Sequence, residues 1–260
     1  MKSIWKTLKY LVVYGLLLVA PAVVVAIVLI VIDKLNGGTM NSDTVWESPC
    51  MVPAIAVGTL LNIIVFLWRR WAVFELGRIS RSDVGMVIVM AIVVFIGWFF
   101  PEDLLQRLIE VPSNLSEKDF DQMTGGVVGF IDTAFLTPVA EELLCRGAIL
   151  GTLLLMTPRR PWVCIVVSAI IFGLIHLNPV QMVFGSLYGL LLGWLFWRTG
   201  SLLPGIVVHV ANNATVMLLP ESADNAIANM SLTTEALLSV VSLVVLFVAL
   251  RWFQRVKNEE

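Results

Sequence analysis

TGGVVGFIDTAFLTPVAEELLCRGAILGTLLLM, residues 124–156, places two adjacent acids and an arginine inside a largely apolar run that also holds Asp132. From Gly125 to Leu155, as one α-helix rising 1.5 Å per residue, it would extend about 45 Å, longer than the roughly 30 Å hydrocarbon core of a bilayer. Pro138 lies three residues before Glu141. Proline lacks an amide hydrogen and its ring meets the carbonyl four residues back, so a kink or break is expected there. The acids would then open a new helical stretch, near mid-depth or towards the cytoplasmic side, where the helix dipole favours carboxylates. Ionisable groups at membrane depth are costly and face a cavity, a partner or a reaction.

Spacing separates the two acids. Glu142 and Arg146 are four residues apart, share a helix face and can pair. Glu141 points about 100° away and has no helical partner at that spacing. Glu142 with Arg146 therefore reads as structural, and Glu141 as free for chemistry. The competing reading is that both acids only tie helices together through the arginine.

The chain has two histidines, and both lie in neighbouring apolar segments: His176 in IIFGLIHL (residues 170–177) and His209 in GIVVHVANNA (residues 205–214). His209 and Asn213 are four apart, hence on one face, and supply donors suited to a developing oxyanion. Asn212 points elsewhere on the helix. A lone apolar-segment histidine such as His176 is commonly a packing residue, so the weight rests on the combination. Two acids, one arginine and two imidazoles in three neighbouring apolar segments read as one buried polar site.

The surrounding composition is that of a membrane protein. Of 260 residues, 58% are hydrophobic and only 14% charged, and the mean hydropathy is +0.91. A soluble domain of this size needs more charge on its exterior. The expected fold is an all-α bundle of about eight transmembrane helices around a polar catalytic cavity, from apolar runs near residues 10–32, 50–68, 84–100, 124–156, 161–177, 179–198, 201–219 and 235–252.

Charge alternates between the connections. One set carries Lys2, Lys6, Lys9, then Arg69, Arg70, Arg78, Arg81, then Arg159, Arg160, then Arg198, then Arg251, Arg255 and Lys257. The other carries Asp33, Asp43, Glu47, then Glu102, Asp103, Glu110, Glu117, Asp119, Asp121, then Glu221 and Asp224, with Lys34, Arg107 and Lys118 as its basic residues. Positive-inside bias puts the first set, and both termini, in the cytoplasm. The net charge of −2 averages two opposed faces and says nothing of partners.

The first apolar run, about 23 residues, exceeds a signal-peptide core of about 7–15 and reads as a retained helix. Cys50, Cys145 and Cys164 form no CxxC pair and read as small packing residues. DLLQRLIEV, from Asp103, and WAVFELGRISRSD, from Trp71, read as short interfacial helices. Gly185, Gly189 and Gly193 recur every fourth residue and suit close helix packing. In RTGSLLPG, residues 198–205, Gly200 and Ser201 are expected to end one helix and start the next, with Pro204 in its first turn. No internal repeat is evident, which speaks against a two-halved transporter.

Taken together, EELLCR (Glu141 to Arg146), FGLIH (Phe172 to His176) and HVANN (His209 to Asn213) resemble EExxxR, FxxxH and HxxxN, the ordered motifs of the CAAX protease and bacteriocin-processing family, also called the Abi family of intramembrane proteases. The resemblance covers residues 124–219. It implies a protease core there, N-terminal helices of unassigned role over 1–123, and a last loop, helix and tail over 220–260. It also implies a membrane-embedded endopeptidase in which Glu141 and His176 activate water, while His209 and Asn213 stabilise the oxyanion.

Glu141, His176 and His209 also match a His₂Glu catalytic zinc set in ligand type. No HExxH is present, and a metal-free glutamate mechanism uses the same residues, so possible zinc stays open. The implied partners are the bilayer and a membrane-associated peptide or protein substrate, with no nucleic acid and no oligomeric state indicated. The expected location is a bacterial inner membrane. The alternative function is a non-catalytic immunity or peptide-binding protein using the same cavity.

Overall fold

The computed structural model describes residues 2–42, 44–112 and 124–256. Asp43, Glu117, Lys118, Asp119, Asp121 and Lys257, part of the charge pattern above, lie outside these residues. The described chain is helical, with no β-strand among its residues. Beside two single 3-10 turns, Val45–Glu47 and Arg81–Asp83, the described residues form nine longer helices: α1 (Lys2–Leu35), α2 (Met51–Trp68), α3 (Val84–Leu108), α4 (residues 126–156), α5 (Pro161–Leu174), α6 (Pro179–Thr199), α7 (Leu203–Leu218), α8 (Glu221–Ala228) and α9 (Leu232–Phe253). Each expected apolar run becomes helical over most of its length.

By length and composition five of them, α1, α2, α3, α6 and α9, are long and apolar enough to cross a membrane. Helices α5 and α7 have 14 and 16 residues. At 1.5 Å per residue they extend about 21 and 24 Å, short of a hydrocarbon core. Large apolar side chains face outward on the long helices, among them Leu16 (64% exposed), Ile64 (58%) and Phe247 (58%), as a lipid-facing surface requires.

Helix α4 departs from expectation at Pro138. The chain neither breaks nor starts afresh there. A π-helical turn over Asp132–Leu136 precedes the α-helical stretch Thr137–Glu142, and Pro138 sits in the first turn of that stretch. Widening the preceding turn accommodates a residue with no amide hydrogen and a bulky ring. A second π stretch, Leu143–Leu150, follows directly. Glu141 and Glu142 consequently end an α-helical stretch between two widened ones. They do not occupy the first turn of a new helix, and the dipole argument for their position falls.

Two other local expectations are corrected. DLLQRL is the last part of α3, which runs on through Pro101 to Leu108. Residues 71–80 form no helix. Gly77 takes a positive φ of 59° and packs directly on the backbone of Thr199 and Gly200, a contact that a continuous helix could not make.

The helices pack as pairs. On α1 and α2, Asn62 Nδ2 donates to the Tyr14 carbonyl at 3.2 Å, and Gly58 lies against the Leu17 and Leu18 carbonyls. Helices α3 and α9 are joined by Ser239 Oγ donating to the Phe100 carbonyl at 3.0 Å, and by Arg107 with Glu235 at 2.6 Å. Helices α5 and α6 form a tight hairpin. Asn178 caps α6 by accepting from the amides of Val180 and Gln181, with Pro179 opening the helix. The glycine stripe faces α5: a Cβ on Gly189 would come within 2.9 Å of Ala169 Cα.

The turn at 198–205 follows the sequence expectation. Gly200 closes α6 with φ 67°, Pro204 lies in the first turn of α7, and Ser201 Oγ donates to the Glu75 carbonyl at 2.7 Å. Arg78 Nη1 donates to the carbonyls of Trp197 (3.1 Å) and Arg198 (3.0 Å), while Arg198 reaches the carbonyls of Gln254 and Val256. Three connections that share basic charge are thus gathered at one end of the bundle.

Candidate active site

Arg146 is fully buried, and its surroundings explain how a charge is held there. Its Nη1 donates to Glu142 Oε1 at 2.6 Å, its Nη2 donates to the Gly189 carbonyl at 3.2 Å, and the guanidinium lies 4.3 Å from the centre of the Phe172 ring. The i,i+4 pair read from the sequence is therefore formed, although the π stretch begins between its members. Gly205 of α7 makes room for it, since a Cβ there would come within 2.9 Å of Glu142 Oε2. The π stretch also needs outside support for its backbone, and Ser168 Oγ donates to the Cys145 carbonyl at 2.8 Å.

Glu142 does more than neutralise the arginine. Its Oε1 lies 3.2 Å from His209 Nδ1. A carboxylate only accepts, so Nδ1 carries the hydrogen and the Nε2 edge of the ring turns towards Glu141, 3.6 Å from Oε2. His176 is oriented in the same way. Its Nδ1 lies 2.8 Å from the Phe172 carbonyl, again an acceptor only, and its Nε2 lies 3.8 Å from Glu141 Oε1. Glu141, 7% exposed, therefore stands between the Nε2 atoms of both histidines, one oxygen towards each.

Phe172 is the packing centre of this arrangement. Its ring meets His176 edge-on at 5.0 Å and His209 edge-on at 5.5 Å, on the ring that also carries Arg146. Tyr188 closes the other side of His209 with an edge contact at 5.7 Å. The histidines are thus each held by one hydrogen bond and at least one aromatic edge.

A cavity of about 170 Å³ opens beside the pair, between α3, α5, α6 and α7. His176, His209 and Asn213 line it, whereas the buried Glu141 does not. Asn213 Nδ2 donates to the Thr133 carbonyl at 3.0 Å, which ties α7 to the first π turn of α4 and leaves the amide's second hydrogen unused by that bond. Asn212 lines the cavity as well, contrary to the helical-spacing argument that turned it away. Glu102 and Gln106 of α3, and Gln181 and Tyr188 of α6, also stand in its wall, and sequence reading had missed all four. The signal for the α3 pair was Trp98, Glu102 and Gln106 at successive i,i+4 positions. It was hidden by ending the third apolar run at residue 100.

The donor types of Glu141, His176 and His209 suit zinc. The two rings are offered different oxygens of Glu141, and among the described residues no three His, Cys, Asp or Glu side chains form a group able to hold a metal ion. The three cysteines are free; Cys145 and Cys164 are buried packing residues, whereas Cys50 is exposed and packs in no core.

Residues 123–215 match the model of the Rce1-like family, described as type II CAAX prenyl endopeptidase Rce1-like. All three motifs fall inside that segment. No curated protein and no solved structure matches the chain. The Rce1-like segment begins just before α4 and ends within α7, so it contains each of Glu141, Glu142, Arg146, Phe172, His176, His209 and Asn213. The family is one of endopeptidases, and the apolar helices around the matched segment make this an integral membrane protein.

Proposed function

We propose that this chain is an intramembrane endopeptidase that hydrolyses a peptide bond of a membrane-associated peptide or protein with water activated by Glu141 and His176. The observation that carries the reading is the seating of the Glu141 carboxylate between His176 Nε2 and His209 Nε2, at 3.8 and 3.6 Å, beside a cavity. Both gaps are wider than a direct hydrogen bond, so they suit an arrangement that closes on a bound water.

Water is a poor nucleophile and needs a positioned base. In the proposed step Glu141, with His176 as second acceptor, takes one proton from the water as its oxygen adds to the scissile carbonyl. The carbonyl electrons move to oxygen, where the Asn213 amide and His209 stabilise the charge. With Nδ1–H committed to Glu142, His209 donates to that oxyanion only when Nε2 is also protonated. Collapse of the tetrahedral species breaks the C–N bond, and the proton held by Glu141 passes to the leaving amine. Arg146 touches no reacting atom and acts through Glu142. This reading uses no zinc.

We take residues 124–219 as the catalytic core. The topology that fits it has eight crossings, with α4, α5 and α7 added to the five helices long and apolar enough to span, and both termini in the cytoplasm of a bacterial cell. The test compares peptides from membranes containing the wild-type chain or Glu141→Gln. Products present only with the wild type are expected. Identical peptide sets, with Glu141→Gln folded, would overturn the reading and leave a peptide-binding protein.

A further inference from the structure

Glu102 stands in the cavity wall contributed by α3, outside the three motifs and outside the segment that matches the Rce1-like model. Trp98, Glu102 and Gln106 lie at i, i+4 and i+8 of α3, hence on one face. The Trp98 indole N–H donates to Glu102 Oε2, and Gln106 Nε2 donates to Oε1 at 3.4 Å. Both donors are neutral. They orient the carboxylate without balancing its charge.

The nearest basic residue along the helix is already used. Arg107 donates to Glu235 Oε2 at 2.6 Å and to the Met230 carbonyl at 2.8 Å. Glu142 has Arg146 and Glu235 has Arg107, but among the described residues Glu102 has no cationic partner. An acid left without a counter-charge in a membrane-spanning helix is costly and marks a functional group. Two of its roughly four lone-pair sites are occupied, and the others are available to whatever enters the cavity.

Tyr188 connects this wall to the histidines. Its ring is edge-on to His209 at 5.7 Å and lies 6.0 Å from Trp98, the residue that orients Glu102. Its hydroxyl is buried and has no hydrogen-bond partner among the described residues. A buried hydroxyl without a partner is rare and calls for a ligand or water that completes it.

We propose that Glu102 is a specificity-determining residue that receives a cationic group of the substrate, an ammonium or guanidinium, with the Tyr188 hydroxyl as a second acceptor. The cation would lie beside the peptide bond presented to Glu141. A cavity of about 170 Å³ has room for one side chain and a few waters, given about 30 Å³ per water in the liquid. The word substrate rests on the peptidase reading, whereas the ion pair is a binding property that can be measured without turnover.

The experiment uses full-length Glu141→Gln protein in nanodiscs, with and without Glu102→Gln. Glutamine keeps the volume and an acceptor for Trp98. The probes are apolar peptides bearing one lysine, matched peptides with norleucine in its place, and each with a free or acetylated amino terminus. Lysine peptides, or those with a free terminus, are expected to bind at least about tenfold tighter than their uncharged partners, a difference of about 1.4 kcal/mol. Glu102→Gln should erase that ratio without lowering thermal stability, the norleucine peptides serving as the uncharged reference for each protein. The arm that shows the ratio identifies the side chain or the terminus as the cation. Equal binding of charged and uncharged probes, or a ratio that survives Glu102→Gln, would overturn the proposal. A preserved ratio lost in Glu102→Gln, with no cleavage by wild type, would sink the peptidase reading and leave the cation site standing.

Discussion

Glu142 Oε1 accepts from Arg146 Nη1 at 2.6 Å and from His209 Nδ1 at 3.2 Å, so a single carboxylate oxygen joins the buried ion pair to one of the two site histidines. The second acid of EELLCR therefore holds both Arg146 and His209. Its partner oxygen, Oε2, lies against Gly205 and has no hydrogen bond among the described residues. Anything that moves Arg146 also moves the ring of His209.

Arg146→Ala should destabilise the protein, because it leaves Glu142 as a buried charge with only a histidine to meet it. Loss of one partner of a buried pair costs about 3–5 kcal/mol. Lower folded yield and a lower melting temperature in detergent are expected. A variant as stable as the wild type would show that the pair contributes little.

Glu141→Gln should abolish turnover while leaving the fold intact, because it removes the base and keeps the shape. Glu142→Gln should behave differently, losing both stability and turnover, since it weakens the hold on Arg146 and His209 together. Thermal melting alongside single-turnover cleavage separates the two. Retention of full activity by Glu141→Gln would remove its assigned role.

Asn213→Ala should lower kcat by about 10²–10³-fold, the usual loss for one oxyanion donor. KM should change little if the amide acts mainly on the developing charge. A purely structural role through the Thr133 carbonyl would appear as a fall in melting temperature with kcat per folded molecule preserved.

Activity should survive exhaustive chelation, with His176→Ala and His209→Ala each impaired for reasons of positioning and proton transfer. Elemental analysis of the chelated, active protein is the check. Loss of activity on chelation, restored by zinc, would establish a metal mechanism on the same three residues.

Cysteines introduced at Ser80 and at Asn229, in a background lacking Cys50, Cys145 and Cys164, should label from opposite sides of the membrane. Ser80 adjoins the basic end, where Arg78 meets the α6–α7 turn, and Asn229 adjoins Met230 at the end where Arg107 meets α9. Labelling of Ser80 from the cytoplasmic side is expected from the positive-inside bias. Labelling of both positions from one side would refute the topology.

Much of this protein is local in origin, and that part is legible in its sequence. Hydropathy over windows of helix length marks where the helices lie, because a helix satisfies its own backbone within one segment. Spacing of four residues predicts the Glu142–Arg146 pair, because i and i+4 are neighbours on any α-helix. The same reasoning reaches its limit where the local geometry changes. Pro138 is visible in the sequence, but whether the chain breaks or widens into π turns depends on what packs around it, here Asn213 donating to the Thr133 carbonyl and Ser168 donating to the Cys145 carbonyl.

That the two acids, the arginine and the histidines share one polar site is legible in the sequence, but the geometry of their meeting was decided by the tertiary structure. Glu141 and His176 are separated by 35 positions in the chain, and nothing in either motif says that one carboxylate would stand between both rings. Nor does any motif indicate that Glu142 would hold His209, or that Phe172 would support both histidines and Arg146. Glu102 is the clearest case: it belongs to no motif, lies beyond Pro101, and enters the site because α3 packs beside α7. The physical reason is common to all of these. Local pattern dictates which face of a helix is polar, but only the packing of helices decides which polar faces share a cavity.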